Sequence, residues 1–143
     1  MTNSVTEESI RSVYWYDGEY VTEAMHAIDY FMRDWRTDQT RPISRRTIDI
    51  LAAVHNSLDT GESFDLISGF RSPATNRRLS RTRDGVVSNS LHIKGMAADI
   101  RLKGRSTTTI AKAAKRCNAG GVGTYSRSGF VHVDCGRVRS WGS

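Results

Sequence analysis

Two histidines and one aspartate in the second half of the chain are of the types that hold a catalytic metal ion. His92 is followed seven positions later by Asp99, and His132 lies further on, in the stretch Phe130–Asp134. Catalytic zinc sites draw three ligands from His, Asp, Glu and Cys and leave the fourth position open for water. A metal ion held in this way supports hydrolysis, because it activates the water and polarises a carbonyl group. The three residues are therefore a candidate metal-binding set.

These residues also have a plain structural interpretation. A His and an Asp at this spacing occur together often by chance, and a histidine on a strand is frequently packed against its neighbours. Of the two other histidines, His55 lies on the apolar face of a helix and His26 has no acidic or histidine partner at a suggestive spacing. Both are expected to be structural.

Four helices and four strands are expected to position the candidate set. Apolar residues at intervals of three and four predict the first two helices, one at Thr22–Arg36 and one that Ser44 caps and that runs to Leu58. Ser72–Pro73 predicts the start of a short helix, and Ser106 caps a helix through Asn118. Alternation and β-forming residues predict the strands Phe64–Phe70, Met96–Leu102, Gly121–Tyr125 and Phe130–Asp134.

The predicted strands fix which side chains share a face. In Met96–Leu102, side chains alternate, so that one side is buried and Asp99 lies on the other side together with Arg101, its expected partner. In Phe130–Asp134, the same rule places His132 and Asp134 on one face. One strand thus supplies a metal ligand and a second carboxylate.

Helices at the front and strands in the second half predict an α+β domain, with helices packed on a mostly antiparallel sheet. The length of 143 residues suits one domain, 1–143, in which residues 1–21 are a candidate for a loosely attached N-terminal extension. Cys117 and Cys135 fit no CxxC motif, and the sequence leaves open whether they pair.

The net charge of +6 predicts attraction to anionic polymers such as nucleic acid, an acidic membrane or a cell-wall polymer. The basic residues are spread along the chain and no helix gathers them on one face, so nucleic acid is not an expected partner. No apolar run is long enough for a membrane span, and the sequence as given has no signal peptide.

Beyond these patterns, the chain from about Phe31 to Trp141 resembles the M15 peptidase superfamily, in its murein endopeptidase branch (DUF882, YcbK-like). The motifs that carry the resemblance are Ser68–Gly69–Phe70–Arg71–Ser72–Pro73 with Asn76, Asn89–Ser90–Leu91–His92 leading to Asp99–Ile100–Arg101, Gly120–Tyr125, Phe130–Asp134 and Gly136–Trp141. Several separate motifs in one order are unlikely to arise by chance.

The resemblance implies the fold shared by zinc D-Ala-D-Ala carboxypeptidases and the hedgehog signalling domain. It also implies one zinc ion per chain, bound by His92, Asp99 and His132, and hydrolysis of peptide cross-links in bacterial peptidoglycan. The expected partners are peptidoglycan stem peptides, and the expected location is the periplasm or another position that faces the cell wall. A monomer is expected.

Four other residues receive roles at the site. Arg71 corresponds to an arginine that the superfamily places over the active site, where its guanidinium suits a peptide carboxylate or a developing oxyanion. The alternative for Arg71 is an ion pair that braces a loop. Asn76, Ser90 and Tyr125 are candidates for substrate binding, although Asn76 and Ser90 equally suit support of a loop.

The general base is the least determined part of this prediction. Related zinc peptidases carry an acid three residues before the last histidine, or a histidine two before it, and these positions are Gly129 and Phe130 here. Asp134 is the first candidate for the base. Alternatively Asp134 is itself a ligand and His132 the acid/base, or Asp134 only orients His132.

The sequence leaves two further matters open. The bond cleaved either follows D-alanine or joins two diaminopimelate residues. The chain could also be a wall-binding module of the same fold without turnover. Arg137, Arg139 and Trp141 are interpreted as terminal packing.

Overall fold

The computed structural model describes residues 1–142 as a mixed α+β structure with four α-helices. The helices are α1 (Thr22–Phe31), α2 (Arg45–Ser57), α3 (Pro73–Thr82) and α4 (Thr107–Cys117). The strands are β1 (Thr2–Asn3), β2 (Glu8–Ser9), β3 (Trp15–Tyr16), β4 (Glu19–Tyr20), β5 (Phe64–Ser68), β6 (Ala97–Leu102), β7 (Gly121–Tyr125), β8 (Phe130–Asp134) and β9 (Arg139–Gly142). Within the described residues, no helix is long and apolar enough to cross a membrane.

Seven of these strands form one sheet in the order β2-β1-β5-β6-β8-β7-β9. The central strands β5, β6, β8 and β7 pair antiparallel, as predicted. Parallel pairs join β1 to β5 on one side and β9 to β7 on the other. The sheet is therefore mixed, and its antiparallel centre holds the strands that carry Asp99 and His132.

The core lies between this sheet and the helices α2 and α4. Ile100, Val131 and Val133 of the central strands are completely buried and belong to the same cluster as Leu51 of α2 and Ile110 of α4. Because side chains alternate along a strand, the residues between them, including Asp99 and His132, project from the other side of the sheet. Helix packing thus fixes which face of the sheet carries the site.

Two elements are shorter, by two residues or more, than the sequence predicted. Helix α1 ends at Phe31 rather than Arg36, because the carbonyl of Met32 accepts from the backbone N–H of Phe70 (2.8 Å) and leaves the helical pattern. Strand β5 ends at Ser68 rather than Phe70 for the same reason, since Phe70 bonds to Met32 and not to β6. This hydrogen bond directs the chain that follows β5.

Residues 1–10 belong to the segment considered as an extension, and their strands β1 and β2 form one edge of the main sheet. Thr2 of β1 pairs with Asp65 of β5, and Glu8 forms an ion pair of 2.9 Å with the buried Arg33. Residues 15–20 form the separate β3–β4 hairpin, whose Tyr20 hydroxyl donates to Asp49 of α2 (2.6 Å).

Both cysteines are free thiols. Cys135 is buried beside the start of α2, where it accepts from the Thr47 hydroxyl (3.3 Å) and donates to the Ser44 hydroxyl (3.5 Å). Ser44 is the N-cap residue of α2 as predicted, but its side chain makes no capping hydrogen bond. Ser106 makes the capping bond expected of it, and Ser72, at the predicted start of α3, makes one as well.

Candidate metal centre

One line of paired residues runs across five strands of the sheet and defines the candidate site. The strand register pairs Ser68 with Asp99, Asp99 with His132, His132 with Gly123, and Gly123 with Trp141. Directly paired residues lie side by side on the same face of a sheet. Asp99 and His132, which are distant in the sequence, are therefore brought into contact by strand pairing alone.

His92 reaches these two residues from a 3₁₀ turn (Leu91–Lys94) that precedes β6. The hydroxyl of Ser90 caps this turn by accepting from the backbone N–H of His92 (3.2 Å). The backbone carbonyl of His92 in turn accepts from the N–H of Arg71 (3.1 Å). Ser90 thus supports the loop that carries His92, one of the two roles considered for it.

Three potential ligand atoms converge at this point. His92 Nε2 lies 3.1 Å and His132 Nδ1 lies 3.0 Å from Asp99 Oδ1. Ligand atoms of the three residues all lie within 4.8 Å of one another, and the side chains are almost completely buried. The structure thus brings together the three residues that the sequence suggested as metal ligands.

The hydrogen bonding of His92 tests whether the set fits a cation. The carbonyl of Gly69 lies 2.7 Å from Nδ1 and can only accept, so Nδ1 carries the proton. Burial lowers the pKa of His92, which favours the neutral ring. In that form, Nε2 directs a lone pair at the Asp99 carboxylate, an arrangement that needs a positive charge between the two atoms. A divalent cation bound by both atoms meets this need.

His132 is held by a different acceptor at its second nitrogen. Its Nε2 donates to Asp134 Oδ2 (2.7 Å), which leaves Nδ1 as the nitrogen that faces Asp99. Histidine ligands of metals commonly donate their second N–H to a carboxylate or a carbonyl, which fixes the ring and its tautomer. Gly69 and Asp134 serve His92 and His132 in this way.

Arg71 lies behind Asp99 rather than over an open cleft. Its Nη2 donates to Asp99 Oδ2 (2.8 Å), its Nε donates to the Ser68 hydroxyl (3.1 Å), and its Nη1 donates to Asn76 Oδ1 (3.4 Å). The Arg71 side chain is buried. The Asn76 amide holds the following loop by donating to the carbonyl of Val87 (2.9 Å).

Asp134 lies at the far end of the His132 ring from Asp99, completely buried. Its Oδ1 accepts from the backbone N–H groups of Gly121 and Gly136, each at 3.0 Å. Arg139 binds both oxygens, with Nη1 3.0 Å from Oδ1 and Nη2 2.9 Å from Oδ2. No lone pair of Asp134 is directed at the point where the three ligand atoms meet.

The charges of the site follow from these contacts. Burial acts to raise the pKa of Asp99, but the neighbouring His92 and His132 hold it well below its usual range. Asp134 is similar, since hydrogen bonds from His132 and Arg139 outweigh burial and lower its pKa. Both carboxylates are therefore ionised at neutral pH.

The metal-free protein is expected to lose stability between about pH 6.5 and pH 9. Burial acts to lower the pKa of His132, but hydrogen bonds to Asp134 and Asp99 outweigh it and raise the pKa from 6.5 to about 9. The charged ring stabilises the fold fully below the unfolded value, and this contribution disappears as the pH rises through the folded value. The loss is up to about 3 kcal/mol, measured by urea unfolding of chelator-treated protein. His132→Gln should remove this pH dependence, and a stability that rises over this range would contradict the assignment.

An aromatic group lies beside His132 at the edge of the site. The Trp141 ring lies 5.2 Å from the His132 ring, and its indole N–H donates to the Tyr125 hydroxyl (2.9 Å). Tyr125 stacks on Phe130 at 4.7 Å. Tyr125 is thus linked to the candidate ligands through Trp141, and Trp141 is a neighbour of His132 that the sequence interpretation missed.

Two interpretations of arginines were wrong. Arg101 pairs with Asp65 (3.3 Å) and not with Asp99, because the register of β5 and β6 puts Arg101 directly opposite Asp65. Arg139 is not terminal packing, since it binds Asp134. The alternation of Gly121 and Gly123 with Arg139 and Trp141 at the same spacing was the available signal.

Comparisons with known proteins show which family and relatives the chain is similar to. A family model described as peptidoglycan L,D-endopeptidase MepK matches residues 1–141. Peptidoglycan L,D-endopeptidase MepK of Escherichia coli (strain K12) is 38% identical over 141 residues, which cover 99% of this chain and 78% of that protein. The protein of the same name from Shigella flexneri has the same identity and coverage. Probable peptidoglycan L,D-endopeptidase MepK of Haemophilus influenzae is 37% identical over 115 residues, or 80% of this chain and 62% of that protein.

Proposed function

The chain belongs to the M15 peptidase family described as peptidoglycan L,D-endopeptidase MepK, and on this premise we propose that it hydrolyses peptide cross-links of bacterial peptidoglycan with one zinc ion per chain. The observation that carries the proposal is the convergence of His92 Nε2, Asp99 Oδ1 and His132 Nδ1, each held by a second hydrogen bond. Two imidazoles and one carboxylate suit zinc and leave a coordination position open.

When bound, zinc supplies a Lewis acid that lowers the pKa of water and polarises a scissile carbonyl. The protein holds the donor atoms in place for it. Gly69 and Asp134 fix the two imidazoles, so that each presents a lone pair. Arg71 neutralises the outer oxygen of Asp99 and leaves the inner oxygen as the ligand.

We assign Asp134 the third of the roles considered for it, that of orienting His132. Its lowered pKa makes it a weak base, and its hydrogen bonds already engage both oxygens. A general base must reach the attacking water directly. The contact of Asp134 with His132 Nε2, and not with the nitrogen that faces Asp99, supports the orienting role.

We infer which peptide bond is cleaved from the names of the relatives, which describe them as L,D-endopeptidases. A bond after D-alanine has a D-configured acyl residue, whereas the bond that joins two diaminopimelate residues has an L-configured acyl centre. The L,D designation therefore favours the diaminopimelate cross-link of the two bonds that the sequence left open. Tyr125, at the edge of the site, is the proposed substrate contact.

We propose that the main role of Ser90, Asn76 and Arg71 is to support the site, in preference to contact with substrate. Each makes its hydrogen bonds to neighbouring protein groups, and all three are buried. We further propose the hedgehog/DD-peptidase fold, a monomer, and a location in the periplasm or facing the wall, where peptidoglycan is found.

Removal of the metal is expected to abolish activity. Protein treated with a chelator and dialysed should release no product from diaminopimelate-linked muropeptide dimers, and one equivalent of zinc should restore hydrolysis. Mass spectrometry of the products identifies the bond cleaved. Full activity in the chelated protein would contradict the proposed mechanism.

Matched histidine variants complete this test. His92→Ala should remove both metal and activity, whereas His26→Ala, at an exposed position on α1, should retain both. If the unmutated protein binds the wall fragments and zinc but never cleaves them, the chain is the binding module that the sequence also allowed.

A further inference from the structure

We propose that Arg139 is a positioning residue, which fixes the His132 ring for metal binding by holding Asp134. This inference rests on the proposed function, because it concerns the same metal centre. It adds to the metal centre a residue of strand β9, which carries none of the three proposed ligands.

The contact between Arg139 and Asp134 is a two-point ion pair. Two guanidinium nitrogens bind two carboxylate oxygens at 3.0 and 2.9 Å, the forked geometry that fixes orientation as well as distance. Asp134 is 1% exposed, so its charge has few partners other than Arg139 and His132. A carboxylate held at both oxygens cannot rotate away from the His132 N–H.

Glycines in β7 make this contact possible. Arg139 pairs with Gly121 in the register of β9 and β7, and its side chain crosses over β7 to reach Asp134 on β8. A Cβ atom at Gly121 would overlap with Arg139 Nη1 and lie 2.6 Å from Asp134 Oδ2. The same construction recurs one pair further along, where a Cβ atom at Gly123 would lie 2.7 Å from the Trp141 ring.

The two crossings bring side chains of β9 to the face of the sheet that carries His132. Trp141 packs beside the ring, Arg139 holds the carboxylate at its Nε2, and the Arg139 guanidinium lies 4.8 Å above the Trp141 ring. Without the guanidinium, Asp134 would retain its backbone donors only at Oδ1. The oxygen that holds His132 would then lose its second partner.

Zinc affinity is the readout that separates this role from others. Arg139→Gln should weaken zinc binding about tenfold, the lower end of the effect of removing an outer hydrogen-bond partner of a metal ligand. Arg139→Lys keeps the charge but loses the forked geometry, so its zinc affinity should lie between those of the unmutated protein and Arg139→Gln. The dissociation constant is measured by competition with a chromophoric chelator, and cobalt absorption spectra report the geometry of the ligands.

A double-mutant cycle tests the route through Asp134. In an Asp134→Asn background, Arg139→Gln should change zinc affinity less than about twofold, because the two residues act as one unit. Equal weakening in both backgrounds would overturn the inference. A raised KM with unchanged zinc affinity would also overturn it, because Arg139 would then contact substrate directly.

Two controls keep the result interpretable. Gly121→Ala leaves Arg139 in the chain but displaces its guanidinium and crowds Asp134 Oδ2, so it should weaken zinc binding at least as much as Arg139→Gln, and Arg137→Gln, at an exposed neighbour, should have no effect. Circular dichroism verifies that each variant folds. Failure of the unmutated protein to bind zinc would refute the proposed function, whereas zinc binding that no variant alters would refute only the role of Arg139.

Discussion

Replacing Asp99 with asparagine is expected to abolish zinc binding and to lower the hydrolysis rate of diaminopimelate-linked dimers by more than about 100-fold. A loss of about 100-fold is the upper end for a residue that only hydrogen-bonds to a metal ligand, and Asp99 is itself a proposed ligand. Asparagine has the same shape but no negative charge. Three cationic or metal-binding groups meet at this one carboxylate, since Arg71 contacts Oδ2 while His92 and His132 contact Oδ1. No neighbouring group can replace it.

The measurement is the zinc content per chain, determined by elemental mass spectrometry, together with the rate of product release. Asp65→Asn is the matched control, because Asp65 lies on the adjacent strand and pairs with Arg101 away from the site. It should retain zinc and activity. An Asp99→Asn protein that binds zinc at unchanged affinity would refute the proposed ligand set.

The second large effect is expected on stability. Arg71→Ala should lower the free energy of unfolding of the metal-free protein by up to about 3 kcal/mol, the lower end of the cost of breaking a buried ion pair, because Asp99 loses its guanidinium partner at Oδ2 and keeps only the histidines at Oδ1. Arg71 is 8% exposed and Asp99 3%, so water cannot replace the lost contact. Ser68 and Asn76 would also lose a donor.

Urea unfolding measures this change, and Arg77→Ala, at an exposed position on α3, is the control. Arg71→Lys should lower the free energy of unfolding by an intermediate amount. Lysine provides one charged contact, whereas the arginine guanidinium donates hydrogen bonds in three directions. If Arg71→Ala were as stable as the unmutated protein and changed only kcat, Arg71 would act on substrate or transition state. That was the role its position in the motif first suggested.

The proposed ligand set was accessible from the sequence as a candidate from residue types and local patterns, and the family resemblance distinguished it from chance occurrences of the same spacing. Period-two alternation places Asp99 and His132 on defined faces of two strands, and capping residues and glycines bound most helices and strands correctly. The loop position of His92 was also predicted, whereas the 3₁₀ turn that Ser90 caps was found only in the structure. Such patterns require no knowledge of which strands are neighbours.

The partners of the ligands were not accessible in this way, because they depend on strand order and register. Arg101 shares a face with Asp99 but lies opposite Asp65, so Arg71 takes its place at Asp99. Arg139 reaches Asp134 only because β9 pairs in parallel with β7, across a connection that no local periodicity reveals. The role of Asp134 was left open for the same reason.

Strand pairing between Asp99 and His132 has a consequence for the thermodynamics of metal capture. The backbone ladder of β6 and β8 fixes these two residues as neighbours, although they are 33 positions apart in the chain. Most of the conformational entropy of gathering the donors is therefore lost when the sheet forms, and little remains to be lost when an ion arrives. For the proposed zinc ion, the fold thus presents donor atoms that are already gathered, and binding of the ion would in turn favour the folded chain as a whole.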